Sequence, residues 1–308
     1  MSKIILIYGP TASGKSKFAL ELAKKVNGEI INADSMQVYK KLQILTARPS
    51  KKDLKKIKHN LYGFIDIKKN FSTGDWLKII TKKIKEINHK KKISIIVGGT
   101  GLYFYSLVEG FVKLPKIPIK FRDKIRNLHK KKGQKKFYKN LIKLDPLSKN
   151  KINPNDIQRS IRAYEVKKYS NKSIYYWQKK TKKIFSNKKF IKLYLNYPRE
   201  DLLRRISKRT KKMVKYGAVS EVKNLLNEKN NSKEHYYKII GFREIEMFLE
   251  KKIDKKNLHN LIDIRTRQYA KRQTTWFRGK MKSWTPIDPK KLTPYIKNFN
   301  KSLLKLDQ

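Results

Sequence analysis

Apolar and polar positions along this chain fall into blocks that alternate between a strand-like run and a helix-like period. Lys3 to Tyr8 (KIILIY) is a short apolar run that stops at Gly9, the pattern of a parallel strand buried on both faces. From Lys15 to about Val26 the period lengthens, with Phe18, Leu22 and Val26 on one stripe of a helix. Glu29 to Asn32 reads as a second short strand ending at Ala33-Asp34-Ser35, and Trp76 to about Asn88 as a lysine-decorated amphipathic helix. Ile93 to Val97 (ISIIV) is a third buried strand, closed by Gly98-Gly99-Thr100. Strands alternating with helices predict a doubly wound α/β sheet, in which ligands sit beyond the carboxyl ends of the strands. Gly9, Asp34 and Gly98 all stand at such ends.

After Leu114 the character changes. Leu114 to Pro118 (LPKIP) is a proline-punctuated linker, and the stretch to about Lys189 is lysine-rich with helical periodicity. Phe190 to Asn196 (FIKLYLN) looks like a strand returning to the sheet, and Arg199 onward is helical again. The expected organisation is an α/β core of residues 1–113 and 190–308 interrupted by a helical insertion, 114–189.

Composition narrows the class. No apolar run approaches the roughly eighteen residues needed to span a bilayer. The N-terminal MSKIILIYGP is a strand leading into a glycine turn, not a signal peptide. Cysteine is absent, which excludes disulfides and thiolate zinc sites and fits a reducing, cytoplasmic location. The 78 Lys and Arg against 24 Asp and Glu give a formal charge of +54, a field that favours polyanions through counterion release. The same lysine excess, with many Ile and Asn, is also what an AT-rich genome imposes on any protein, so charge alone names no partner.

Chemistry enters with Gly9-Pro10-Thr11-Ala12-Ser13-Gly14-Lys15-Ser16, which fits G-x-x-x-x-G-K-[ST] after a strand and before a helix. Such a loop turns backbone N–H groups onto the phosphates of a diphosphate or a nucleotide such as ATP, with the helix N-terminus behind them. Lys15 supplies a point charge, and the Ser16 hydroxyl is a candidate Mg²⁺ ligand. An NTPase usually places an acid at the end of a later apolar strand. The clearest candidate strand, Ile93 to Val97, ends instead in Gly-Gly-Thr, which weakens a kinase reading. Asp34, at a strand end in a chain poor in acids, is either a cap or metal neighbour, or a general base beside the cradle.

GPTASGKS, then NADSMQVY from Asn32 and VGGTGLY from Val97 resemble the tRNA dimethylallyltransferases (isopentenyl-tRNA transferases). So do Asp145 to Glu165, IIGFRE from Ile239, and TRQYAKRQTTWFRG from Thr266. The resemblance covers nearly the whole chain and implies a P-loop NTPase-like fold. It implies that Thr11 to Ser16 hold dimethylallyl diphosphate with Mg²⁺ near Ser16, and that Asp34 is the base activating N6 of the tRNA adenine next to the anticodon. It puts Thr100 at the reaction centre and gives Arg209 the departing diphosphate; by itself Arg209 reads as a solvated arginine on a basic helix. Asp34, Ser35, Met36 and Gln37, together with Thr100, Arg122, Gln158, Arg159, Ser160, Ile161 and Arg162, match positions that touch tRNA. The implied partner is the anticodon stem-loop of tRNAs reading codons that begin with U, with the protein a monomer by default.

Thr266 to Gly279 mixes basic residues with Tyr269, Trp276 and Phe277, which suits stacking on RNA bases or, alternatively, a helix whose aromatics pack inward. Other readings of the chain are an adenylate prenyltransferase acting on free AMP or ATP, a small-metabolite kinase, and a non-catalytic RNA-binding protein.

Overall fold

The structure, a computed structural model, describes residues 3–228 and 233–299. Strand β1 (Ile4–Tyr8) is buried at every position. It runs between strands that come much later in the chain. It is followed by α1 (Lys15–Lys25), β2 (Gly28–Asn32), α2 (Lys51–Lys56), β3 (His59–Asn60), α3 (Thr73–His89), β4 (Ile93–Gly98) and α4 (Gly101–Glu109). Helices α5 (Ile119–Leu144), α6 (Ile157–Ser170) and α7 (Ile174–Lys179) come next. The sheet then resumes with β5 (Phe190–Leu195), followed by α8 (Arg199–Met213), α9 (Val219–Leu226), α10 (Phe242–Leu249), α11 (Lys255–Lys280), β6 (Thr285–Ile287) and α12 (Leu292–Lys297). The strand order is β3-β2-β4-β1-β5-β6, and every pairing is parallel.

The doubly wound α/β expectation therefore holds, and the period-two alternation of β1 explains why both faces need cover. Ile4, Leu6 and Tyr8 pack with α3, α4 and Trp284, while Ile5 and Ile7 pack with α1 and Phe299. Helix α3 starts at Thr73, earlier than its apolar stripe suggests. Ser72 accepts from the Asp75 N–H at 3.2 Å and its own N–H donates to Asp75 Oδ2 at 3.0 Å, a capping box that precedes the first buried residue, Trp76.

The chain separates into two compact units, Met1–Val108 with Phe185–Gln308, and Glu109–Ile184. This division falls before the proline linker at one end and before Lys189 at the other. Gly110, at φ +90°, has the Lys182 carbonyl 2.5 Å from where a Cβ would stand, and Lys183 pairs with Glu109 at 2.9 Å, so both chain ends of the smaller unit are tied together within it. That unit is helical: α5, broken at Gly133 (φ 67°), packs with α6 around Leu141, Ile152 and Ala163. Among the described residues, no helix is long and apolar enough to cross a membrane.

Candidate active site

The loop from Gly9 to Gly14 leaves the central strand and enters α1 through two left-handed residues, Ala12 at φ 64° and Gly14 at φ 89°. Glycine adopts that conformation freely; alanine does so at a cost that only the surrounding fold can hold in place. Ser13, 1% exposed, leaves its Oγ without a hydrogen-bond partner inside this turn. Lys15 Nζ donates to the Pro10 carbonyl at 3.2 Å. Helix α8 closes over the loop from outside: Arg205 Nε donates to the Ala12 carbonyl at 2.8 Å and Arg209 Nη1 to Thr11 Oγ1 at 3.2 Å. Their i, i+4 spacing puts both arginines on one face of the helix.

Two strand ends build the opposite wall. Beyond β2, the Asp34 N–H donates to Asn32 Oδ1 and the Met36 N–H to Asp34 Oδ1, each at 2.9 Å, so the carboxylate is aimed by its own turn. Asp34 Oδ2 takes no hydrogen bond among the described residues. Beyond β4, the Thr100 N–H donates to the Ala33 carbonyl at 3.1 Å, and Thr100 Oγ1 accepts from the Ser35 N–H at 2.9 Å. The two ends approach so closely that a Cβ on Gly98 would stand 2.1 Å from the Ala33 oxygen, which explains the glycine.

These walls enclose a cavity of about 300 Å³ whose lining includes Thr11, Lys15, Ser16, Asp34, Met36, Gln37, Arg209 and Tyr269. Burial pulls the Lys15 ammonium down to about 8, with Asp34 opposing the fall and Arg209 adding to it. Burial also lowers Arg209, again against Asp34, and raises the Tyr269 phenol. One carboxylate thus faces two cations across a partly dry pocket, an arrangement suited to receiving an anionic group and a proton on opposite sides.

One residue that no sequence motif singles out joins the walls. Gln273 on α11, 3% exposed, accepts from the Thr11 N–H at 2.8 Å and donates to the Gly99 carbonyl at 2.9 Å, while its own carbonyl accepts from the Tyr8 hydroxyl at 2.9 Å. The available signal was spacing: Ile262, Thr266, Tyr269, Gln273 and Trp276 recur on one face of a helix. The aromatics of this segment pack inward. Phe277 stacks on Tyr194 with ring centroids 3.4 Å apart, and Trp276 covers Gly101. Arg265 and Arg267 are paired with Glu244 and Asp263, and Arg272 reaches the cavity.

The remaining expected contacts lie in the helical unit. Gln158 and Arg159 are exposed, Ile161 and Arg162 half-buried, and Arg122 lies near the start of α5. Ser160 differs from the surface position expected of it: it is fully buried, and Gln134 Nε2 donates to its hydroxyl at 3.2 Å. On α6 the residue points into the contact with α5, because the side chains that pack there recur every three to four positions, through Ala163 and Val166.

A glycine cradle between the central strand of a parallel sheet and its following helix defines a P-loop-type α/β protein. The family model for IPP transferase matches residues 37–280. The chain is 58% identical over 307 residues to a tRNA dimethylallyltransferase of Pelagibacter ubique (strain HTCC1062), covering 100% of this chain and 98% of that one. It is 45% identical over 281 residues to a tRNA dimethylallyltransferase of Rickettsia massiliae (strain Mtu5), covering 90% and 77%. A solved eukaryotic dimethylallyltransferase acting on tRNA superposes with a TM-score of 0.81 at 28% identity, over 99% of this chain and 78% of the other. The chain belongs to the IPP transferase family.

Proposed function

We propose that this protein transfers the dimethylallyl group of dimethylallyl diphosphate to N6 of the adenine at position 37 of tRNAs reading codons that begin with U. The observation that carries the reading is that Thr11, Lys15, Ser16 and Arg209 line one cavity with Asp34. The diphosphate lies on the loop N–H groups, Lys15 and Arg209. The target adenine leaves its stack and enters from the Asp34 side. Its N6 lone pair attacks C1 of the allyl group while the C1–O bond breaks. That bonding pair leaves on the diphosphate, and the N6 proton passes to Asp34. Thr100 and Ser35 hold the Asp34 loop against β4, and exposed Gln158 and Arg159, with Arg122 and Arg162, receive the anticodon stem-loop.

The donor set fits Mg²⁺ of the kind that keeps several waters and rides on substrate phosphates. Ser16 and Asp34 supply hard oxygens to one cavity, and among the described residues no group of three or more His, Cys, Asp or Glu could hold a metal by itself. Ser16 is the residue that would hold the ion, which when bound neutralises charge on the diphosphate.

Lys15, held near 8 by burial, loses its charge as pH rises through that value, so kcat/KM for dimethylallyl diphosphate is full below pH about 8 and declines above it. A pH profile of kcat/KM for each substrate checks this, with no matching decline expected for tRNA. Gln273→Leu severs the Thr11 link and raises KM for dimethylallyl diphosphate about tenfold, the weight of one lost buried hydrogen bond, in steady-state kinetics. To test the function itself, diphosphate release is measured with unmodified tRNA, AMP or ATP as acceptor. Release with tRNA alone supports the reading; release with AMP or ATP instead makes the protein an adenylate prenyltransferase.

A further inference from the structure

We infer that Glu165 is a positioning residue for RNA, a buried carboxylate that fixes Arg122, Arg126 and Arg162 as one preformed phosphate-binding array. The inference rests on the proposal that the Glu109–Ile184 unit receives tRNA, and deepens it. Glu165 lies on the buried side of α6 and is 1% exposed. Arg162 Nη1 donates to its Oε2 at 3.0 Å, Arg122 Nε stands 3.4 Å from the same oxygen, and Arg126 Nε stands 4.0 Å from Oε1. Arg126 also reaches Asp123 at 3.8 Å, but that carboxylate is 56% exposed and therefore well screened.

A structural ion pair matches one charge with one. Here a single buried acid serves three guanidinium groups whose side chains remain 37%, 51% and 35% exposed for Arg122, Arg126 and Arg162. Each guanidinium carries five N–H donors, so most of the fork stays available after Glu165 is served. The arrangement is also incomplete by itself: among the described residues Arg122 Nε, buried and 3.4 Å from Glu165 Oε2, makes no hydrogen bond. Three like charges held together with one counter-charge leave an excess of positive charge that an external polyanion relieves, and planar forks suit phosphate oxygens. Holding the arginines in place beforehand removes ordering cost from RNA binding. Removing a negative charge from this basic unit should therefore weaken RNA binding, the reverse of what net charge alone predicts.

The experiment compares wild type, Glu165→Gln and Glu165→Asp by steady-state kinetics, thermal melting and fluorescence anisotropy with a labelled anticodon stem-loop. For Glu165→Gln the expected result is KM for tRNA and stem-loop Kd raised about tenfold, with kcat and KM for dimethylallyl diphosphate unchanged. Glu165→Asp keeps the charge and loses about threefold, and it carries the test if the glutamine variant does not fold. In an Arg122→Gln background, Glu165→Gln should add little further loss. Unchanged or tighter stem-loop binding in both Glu165 variants overturns the inference, as does full additivity with Arg122→Gln. Wild type that binds the stem-loop but prenylates no tRNA overturns the proposed function instead, and the anisotropy comparison still decides the role of Glu165.

Discussion

Asp34→Asn should lower kcat by about a hundred- to ten-thousand-fold while leaving KM for tRNA within a few-fold of wild type. Asparagine is the informative replacement because Oδ1 accepts the Met36 N–H at 2.9 Å, and an amide oxygen can keep that bond and the turn it fixes. What asparagine cannot do is take a proton. The exocyclic amine of adenine is a weak nucleophile because its lone pair is delocalised into the ring, so attack without proton removal builds an unfavourable cation. Single-turnover prenylation with enzyme in excess isolates this step from product release. A variant that turns over near the wild-type rate would remove Asp34 from the chemistry and reduce it to a loop anchor.

The second large effect belongs to Arg209. Its guanidinium reaches Thr11 Oγ1 at 3.2 Å and lines the cavity beside Lys15, where the proposed mechanism puts the negative charge that grows as the C1–O bond breaks. Donors aimed at developing charge in a partly dry site act mainly on the transition state. Arg209→Ala should therefore cost about a hundred- to a thousand-fold in kcat, measured under saturating dimethylallyl diphosphate. Arg209→Lys keeps the charge, loses the planar fork and should recover only part of the rate. Neighbouring Arg205 spends its Nε on the Ala12 carbonyl and stacks over Tyr197, so its loss should loosen the cradle and raise KM more than it lowers kcat.

Where the cavity lining comes from contiguous residues, the sequence made it legible. The cradle is local: glycines, Lys15 and Ser16 follow one another between a strand and a helix. Asp34 stands out because strand ends in a parallel sheet converge at one edge, whereas Thr100 is singled out only by the family resemblance. Gln273 was not legible, since its importance lies in contacts to Thr11 and Gly99, and the helical spacing that puts it on one face with Ile262 and Tyr269 does not say what its amide bridges. The loop after Gln37 was equally opaque. Its shape depends on Glu221, whose two oxygens accept the Ile44 and Leu45 N–H groups at 2.8 and 3.0 Å. Strand β6 is three residues with Pro286 at its centre, too short and too poor in donors to announce itself, yet it pairs with β5 at the sheet edge. The inward packing of Trp276 and Phe277 resolves an ambiguity that basic-aromatic composition leaves open, because period alone does not say which side of a helix meets the core.

The most direct measurement is nucleoside-resolved mass spectrometry of unmodified tRNA after incubation with the pure protein and dimethylallyl diphosphate, with fragment mapping of the modified site. The account predicts a prenylated adenosine at position 37, formed by wild type and absent from the Asp34→Asn reaction over the same time. Recovery of unmodified adenosine throughout, or of the prenyl group on another nucleoside, would contradict it.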